Sequence, residues 1–194
     1  AQVDKKIAEK QASSVSTRKN LKDGVYTNHT GGAYGSDAIW ADMFRPYGVV
    51  NNHYRPINDK GTAKIKQLSH NGDKVITITK EESEQGNALN KQLGNNTHDL
   101  NNRNYVQVAN ADTVLAVAPI VNGKVTGGTG SAVRMAEHLN KDVYVLDTET
   151  VQWYKSENGK YVKINYLPKV ANNFAAVGTR GIESYPTKDK AGNW

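Results

Sequence analysis

Cysteine is absent from the 194 residues of this chain. Its absence excludes disulfide bonds, cysteine-ligated zinc or iron–sulfur centres, and thiol catalysis. Long apolar runs are also missing, so no segment of about 18 apolar residues predicts a membrane-spanning helix. Hydrophobic residues make up 37% of the chain, which predicts a core with long polar loops. The first residues, AQVDKKIAEK, lack the apolar stretch of a signal peptide, and we expect a cytoplasmic protein that binds no membrane.

Positive charge is concentrated at one end of the chain. The net charge is +6, from 25 Lys and Arg against 19 Asp and Glu. Residues 1–22 hold six cations and two anions, and residues 186–194 add a further +1, which leaves +1 for the body between them. A nucleic-acid groove needs cations clustered on the folded body. We therefore predict a basic extension over 1–22 and a single domain over 23–194, with nucleic acid disfavoured as a partner.

Strands that alternate with helical patterns predict the fold class. Strands are predicted at 25–30, 49–54, 75–79, 113–119, 143–147 and 173–177, and helices at 36–46, 81–94, 103–110 and 131–140, with a loop at 95–102. The continuous apolar run TVLAVAP is typical of a parallel strand buried on both faces. Asn158-Gly159 favours a type I′ turn and predicts a β-hairpin at 151–164. The prediction is an α/β fold with a Rossmann-like, mainly parallel sheet and helices on both faces.

Glycine-rich segments follow three of the predicted strands. They are Gly31-Gly32, Gly127-Gly128-Thr129-Gly130 and Gly178-Thr179-Arg180-Gly181. The carboxyl ends of parallel strands share one edge, where α/β sheets bind ligands. Glycine lets the backbone approach a bound group, a helix N-terminus offers N–H groups to an anion, and arginine can bind phosphate with two hydrogen bonds. We therefore predict that Gly31, Gly128 and Gly178 converge on one electropositive pocket.

Common cofactor and metal motifs are missing. GGAYGSD does not match the dinucleotide pattern GxGxxG, and no GxxxxGK[ST], HExxH or calcium-loop pattern occurs. The five histidines lack metal-ligand spacing, and His29 lies within a predicted strand, which favours a packing role. The sequence therefore predicts no metal and no cofactor.

Four segments together resemble a known superfamily. They are TGGAYGSD (30–37), RNYVQVANADTVLAVAP (103–119), VTGGTGSAVRMAEHLNKDVYVLD (125–147) and NFAAVGTRG (173–181). They resemble the SLOG superfamily of Rossmann-like domains, which includes the LOG enzymes and the DNA-processing protein DprA. Their order is most similar to the circularly permuted YpsA-like branch, in whose relatives a strand comparable to NFAAVGTRG comes first. The resemblance covers residues 24–185.

The resemblance implies a ligand and a set of positions that bind it. The ligand is a nucleotide or a nucleotide-derived molecule, and the chain is expected to associate as SLOG relatives often do, as a homo-oligomer. A signalling or sequestering role is implied more than catalysis, because Arg134 stands where the LOG pattern PGGxGTxxE has its glutamate. The implied ligand-binding positions are Gly31, Gly32, Ser36, Asp37, Gly127, Gly128, Thr129, Gly178, Thr179 and Arg180.

Several side chains have two interpretations each. Asp37 is either a ribose ligand or base, or a carboxylate that complements a helix dipole. His53 is either a phosphate contact or acid/base group, or a hydrogen-bonded surface histidine. Asn104 and Tyr105 either reach the ligand or serve capping and packing. Trp153 either belongs to a lid or contacts a second copy, on the expectation that its hairpin lies outside the sheet and must bury one face.

The sequence is compatible with three functions. The first is a non-catalytic module that binds a nucleotide-derived ligand. The second is a hydrolase that uses Asp37, Glu137 or Glu183 as its acid/base group, since general acid–base catalysis needs a carboxylate close to the scissile bond. The third is a DprA-like nucleic-acid binder that uses the basic extension over residues 1–22.

Overall fold

An eight-stranded sheet organises the computed structural model, which describes residues 18–33, 35–58 and 72–179. The strands of the described residues are β1 (Thr27–Thr30), β2 (Val50–Arg55), β3 (Lys74–Thr77), β4 (Thr113–Ala118), β5 (Ile120–Val121), β6 (Lys124–Val125), β7 (Asp142–Asp147), β8 (Gln152–Glu157), β9 (Lys160–Lys163) and β10 (Asn173–Gly178). Their helices are α1 (Ser36–Phe44), α2 (Lys80–Gln92), α3 (Asp99–Ala109) and α4 (Gly127–His138), with a 3-10 turn at Arg45–Tyr47.

The order of the strands places the last one at the centre. The main sheet runs β3-β2-β1-β10-β4-β7-β8-β9, and its first six strands are parallel. The chain moves from β1 to β2 and β3 on one side, and from β4 to β7 on the other. β10 pairs with both β1 and β4, which confirms the predicted place of 173–177 within the parallel sheet. The two short strands β5 and β6 form a separate antiparallel pair between β4 and α4.

Helices cover both faces of the sheet, as predicted. Alternate side chains of β4 point to opposite faces, so Val114 and Ala116 join the large core cluster with α2, α3 and α4. Leu115 joins a smaller cluster with Phe174, against which Trp40 of α1 packs. All six residues of β4 are buried, as expected for a strand covered on both sides.

The predicted hairpin forms, but it belongs to the main sheet. β8 and β9 join through Asn158 and Gly159, whose φ angles of 49° and 76° are those of a type I′ turn. β8 pairs antiparallel with β7, so the expectation of a hairpin outside the sheet is wrong. Trp153 packs against the smaller core cluster. Trp153 is partly buried there, so one face of the hairpin is already covered within the same chain, and association with a second copy stays a prediction.

Helix α3 begins earlier than predicted, within the segment expected to be a loop. His98 caps it, because the His98 Nδ1 atom accepts a hydrogen bond from the Asn101 N–H at 3.3 Å. The Asn-rich segment before Arg103 has low helix propensity, which explains the wrong boundary. The early start adds a full turn that carries Asn101 towards the carboxyl edge of the sheet.

The end of the predicted extension contacts the body. The Arg18 guanidinium donates to both Glu82 carboxylate oxygens at 3.0 Å, and the Arg18 N–H donates to Asn110 Oδ1. Lys19 pairs with Asp112. These two cations therefore already have carboxylate partners within the chain. Residues 1–17 and 186–194 lie outside the described residues.

Buried polar side chains fill β1 and β2, where parallel strands are usually apolar. On one face, the Asn28 amide donates to Asn51 Oδ1, and the Asn51 amide donates to Asp73 Oδ1. On the other face, His29 bonds to the Tyr54 hydroxyl through Nδ1 at 2.8 Å and to Asn173 Oδ1 through Nε2 at 3.0 Å. The amide oxygen can only accept, so neutral His29 carries its proton on Nε2. The predicted packing role of His29 is confirmed.

This neutral histidine makes the fold sensitive to acid. Burial lowers the pKa of His29 from 6.5 to about 4, whereas an unfolded histidine is protonated below about 6.5. The unfolded state then binds more protons, so stability is lost as the pH falls from 6.5 towards 4. Urea titrations should give an unfolding free energy about 2–3 kcal/mol lower at pH 4.5 than at pH 7.5 from this group alone. The drop should shrink in His29→Gln; an unchanged drop would show that His29 is not its source.

Candidate functional site

A cavity of about 480 Å³ opens at the carboxyl edge of the sheet. Ala118 at the end of β4 and Gly178 at the end of β10 form part of its wall. Gly128 at the start of α4, Asp37 in the first turn of α1, and Gln107 of α3 complete it. The cavity therefore lies where the chain turns to opposite sides of the sheet, the usual ligand position in open α/β folds. Its volume is within the range of small-molecule sites, about 300–1,000 Å³.

The amino end of α4 faces this cavity. Thr126 caps the helix without a side-chain hydrogen bond, and the Gly130 N–H makes a helical bond to Thr126 O at 3.1 Å. The N–H groups of Gly127, Gly128 and Thr129 precede that bond, so the helix itself does not satisfy them. A helix end of this kind favours an anion through its N–H groups and its dipole.

The two glycines Gly128 and Gly178 line the cavity but serve different structural purposes. A Cβ on Gly128 would meet only Asn101 Oδ1, at 3.5 Å, which is ordinary contact. A Cβ on Gly178 would lie 2.5 Å from the Cβ and Oγ of Ser36. Ser36 bonds there to Thr179 O, with Oγ at 2.7 Å and N at 3.3 Å. Gly178 therefore allows α1 to pack on β10, whereas Gly128 leaves backbone open to the cavity.

Gly31 and Gly32 lie behind the described residues that line the cavity. A Cβ on Gly31 would overlap the Arg103 guanidinium and lie 2.8 Å from Asp37 Oδ2. Gly32 has a φ of 61°, and a Cβ there would lie 2.5 Å from His53 Nδ1. These glycines make room for buried side chains, so the expected convergence of Gly31 with Gly128 and Gly178 on the cavity wall is wrong for Gly31.

The predicted ligand positions thus divide into three groups. Ser36 holds α1 against β10, next to Gly178, and with Gly31 and Gly32 it forms a supporting layer. Arg180 lies outside the described residues. The positions that line the cavity are Asp37, Gly127, Gly128, Thr129, Gly178 and Thr179. Their binding of a ligand stays a prediction.

Helix α3 supplies a wall that the sequence analysis largely missed. Its residues Leu100, Asn101, Arg103, Asn104 and Gln107 line the cavity. Of these only Asn104 was predicted to reach a ligand, while its predicted companion Tyr105 is buried in the core. The spacing 100, 103, 104 and 107 is that of one helix face, a signal that the assumed loop over 95–102 concealed.

Two opposite charges lie deep in the cavity wall, Arg103 on α3 and Asp37 on α1. Arg103 is 5% exposed and Asp37 is 7% exposed, and both reach the space in front of Gly31. The Arg103 Nη1 atom also donates to Tyr54 O at 3.4 Å. The charges of Arg103 and Asp37 are opposite in sign, so together they add no net charge to the cavity. Among the described residues, the positive potential in the cavity therefore comes from the dipole of α4.

Gln107 is the buried amide here whose nitrogen and oxygen both lack a partner among the described residues. It is 1% exposed, and neither its Nε2 nor its Oε1 has a hydrogen-bond partner within the described part of the chain. Asn90, also fully buried, has both amide atoms bonded, to Asn102 and Asn95. An unsatisfied buried polar group costs about 1–3 kcal/mol, so the Gln107 amide needs an explanation.

His53 is placed differently from its sequence-based interpretation. It is fully buried, so the expectation of a surface histidine is wrong. Its Nε2 bonds to Asp73 Oδ2 at 2.9 Å, and Arg45 bonds to the same carboxylate. Burial lowers the pKa of His53 despite the neighbouring carboxylate. Although burial opposes it, hydrogen bonds from Arg45, His53 and Asn51 hold the pKa of Asp73 below its usual value.

The other proposed catalytic carboxylates lie elsewhere. Glu137 accepts hydrogen bonds from the Ser156 hydroxyl at 2.6 Å and the Tyr161 hydroxyl at 3.3 Å, between α4 and the hairpin. Glu183 lies outside the described residues. Arg134 donates to Asn95 Oδ1 at 2.6 Å and to Val125 O, so it braces the start of α4. Among the described carboxylates, Asp37 is the one that lines the cavity.

No family model, curated protein or solved structure matches this chain. The SLOG resemblance therefore stays a prediction. Within the described ranges, no helix is both long and apolar enough to cross a membrane. The same ranges hold no group of three His, Asp or Glu side chains arranged to bind a metal.

The two glycines that line opposite walls give a stability test. Gly178→Ala should lower the unfolding free energy by about 1–3 kcal/mol, because its Cβ forces α1 away from β10. Gly128→Ala should not lower it, since its Cβ meets no close neighbour and alanine favours helix. Chemical denaturation of both variants measures the difference. Equal effects would contradict the distinction between a packing glycine and an open one.

Proposed function

We propose that the cavity binds a nucleotide or nucleotide-derived ligand, with a phosphate group at the amino end of α4. The main support for this proposal is the cavity itself, where that helix end meets the carboxyl ends of β4 and β10. Binding without turnover is the favoured role, in keeping with a signalling or sequestering module. Membership of the SLOG superfamily, in its circularly permuted branch, is part of the same proposal.

The helix end supports the phosphate position. Gly127, Gly128 and Thr129 offer backbone N–H groups before the first helical bond, and no side chain projects from the two glycines. Phosphate oxygens accept several hydrogen bonds at once, and the dipole of α4 adds a favourable field. The Thr129 and Thr179 hydroxyls line the same cavity and add further donors.

The remainder of the cavity supports an organic portion of the ligand. Its lining combines apolar side chains such as Leu100, Ala132 and Val177 with the polar side chains of Asn104 and Gln107. Polar residues such as His98, Asn101 and Arg103 also line the cavity, so the lining suits a ligand that carries both apolar surface and hydrogen-bonding groups. An inorganic anion alone would leave this apolar surface uncovered, which favours a phosphorylated molecule with a ring system.

A hydrolase is the second candidate, because Asp37 lines the cavity with a buried carboxylate. Such a group can act as a general base if a scissile bond lies within hydrogen-bond reach. Incubation of the protein with nucleoside monophosphates, followed by chromatography for free base or nucleoside, tests it. Release that disappears in Asp37→Asn would favour the hydrolase; intact nucleotide throughout would favour binding alone.

Gly128→Val tests the proposed phosphate position. Calorimetric titration with AMP, GMP, CMP, UMP and ADP-ribose should find at least one that binds the unaltered protein. The branched side chain should weaken that binding at least tenfold, because it fills the space in which the backbone meets the phosphate. Gly128→Ala is the matched control and should lose less. No binding of any of the five, or equal affinity in the valine variant, would overturn the proposal.

A further inference from the structure

Gln107 has an unmet hydrogen-bonding capacity next to the candidate site. Both of its amide atoms lack a partner among the described residues, although the side chain is almost wholly buried. Neighbouring buried amides show that this fold can satisfy such groups: Asn101 donates to Asn96 O and Ser131 Oγ, and Asn102 donates to Thr97 O. An unpaired buried carboxamide is unfavourable, so a partner from beyond the described residues is expected, and the cavity offers space for one.

The position of Gln107 relates it to the helix end. Asn104 lies one turn earlier on the same face of α3, and its amide donates to Gly128 O at 3.4 Å. Gln107 is three residues further along α3, a rise of about 4.5 Å. Because α3 runs from the carboxyl edge of the sheet towards the start of β4, Gln107 lies further from that edge than Asn104 and its contact with Gly128. The lining of the same cavity includes the apolar residues Ala118, Ala132 and Val177.

We propose that Gln107 is the specificity-determining residue for a nucleobase or carboxamide edge of the ligand. The proposal rests on the proposed function, and it assigns the two ends of the ligand: the phosphate at Gly128 and the planar ring at Gln107. A carboxamide presents a donor beside an acceptor, and it pairs with an edge that does the same, such as the amino group and ring nitrogen of adenine.

The chemistry of the amide separates possible ligands. Inorganic phosphate bound at the amino end of α4 is too small to reach Gln107 as well and would leave its amide unpaired. Ribose 5-phosphate can occupy the helix end, but it has no planar edge to reach the deeper amide. Gln107 lines the cavity while its two amide atoms are buried, so the proposal includes a rotation of this side chain towards the ring when the ligand enters. The ligand class is therefore a phosphorylated molecule with a hydrogen-bonding ring or carboxamide.

The test compares a nucleotide with its sugar phosphate. Calorimetric titrations of the full chain with AMP, GMP, CMP, UMP and ribose 5-phosphate should show at least one nucleotide binding tenfold or more tightly than the sugar phosphate. Gln107→Leu should abolish that difference while ribose 5-phosphate binds as before. The same variant should melt at an equal or higher temperature, because leucine replaces an unsatisfied amide. Gln107→Glu, which keeps the shape and replaces the donor, should also lose nucleotide affinity.

A matched control lies outside the set of residues that line the cavity. Gln152 in β8 donates to Ile164 O at 2.8 Å, so Gln152→Leu should lower the melting temperature and leave both affinities unchanged. If the unaltered protein binds neither class of probe, the proposed function itself fails. If it binds both equally, or if Gln107→Leu weakens both by the same factor, the proposed function stands and the role of Gln107 is overturned. Should Gln107→Leu fail to fold, Gln107→Glu decides by the same comparison.

Discussion

The pairing of β10 with both β1 and β4 is the constraint on which the rest of the molecule depends. This strand comes last in the described sequence, yet it separates the two halves of the sheet. Because all three strands are parallel, their carboxyl ends open on one edge, and the chain departs from that edge in opposite directions. The cavity exists because α1 leaves to one face and α4 to the other, with α3 closing the side between them.

The two halves of the sheet achieve burial by different means. β4 and β7 are apolar and bury their side chains against helices, so their stability follows from area removed from water. β1 and β2 instead carry asparagine and histidine, which must find partners because unpaired polar groups are costly in the interior. The network from Asn28 through Asn51 to Asp73 provides such partners across two strands and a loop, whereas Asn52 Oδ1 and His53 Nδ1 have none among the described residues. Such a network specifies which strands pair, because a shift of register would break every bond in it.

Local signals predicted much of the fold. The strand β4 and the turn at Asn158-Gly159 are each determined by residues that are adjacent in the sequence, and both predictions are confirmed. Gly31 is different. Its lack of a side chain admits the guanidinium of Arg103, more than 70 residues away, and nothing beside Gly31 in the sequence indicates that contact. The start of α3 was missed for a related reason, since a histidine cap is a weak sequence signal and asparagines favour loops.

The part of the candidate site that is formed by backbone could be predicted from the sequence. The part that is formed by side chains of α3 could not. A glycine-rich turn before a helix shows in the sequence, so a helix after these glycines was predicted, although α4 begins at Gly127 and not at residue 131. Gln107 looked like an ordinary polar residue on an amphipathic helix, and its unmet hydrogen bonds become visible only when strands and helices pack around it. The same packing makes it informative. A protein interior tolerates few unsatisfied polar groups, so one that lines a cavity is a stronger indication of ligand chemistry than the glycines, which also serve close packing.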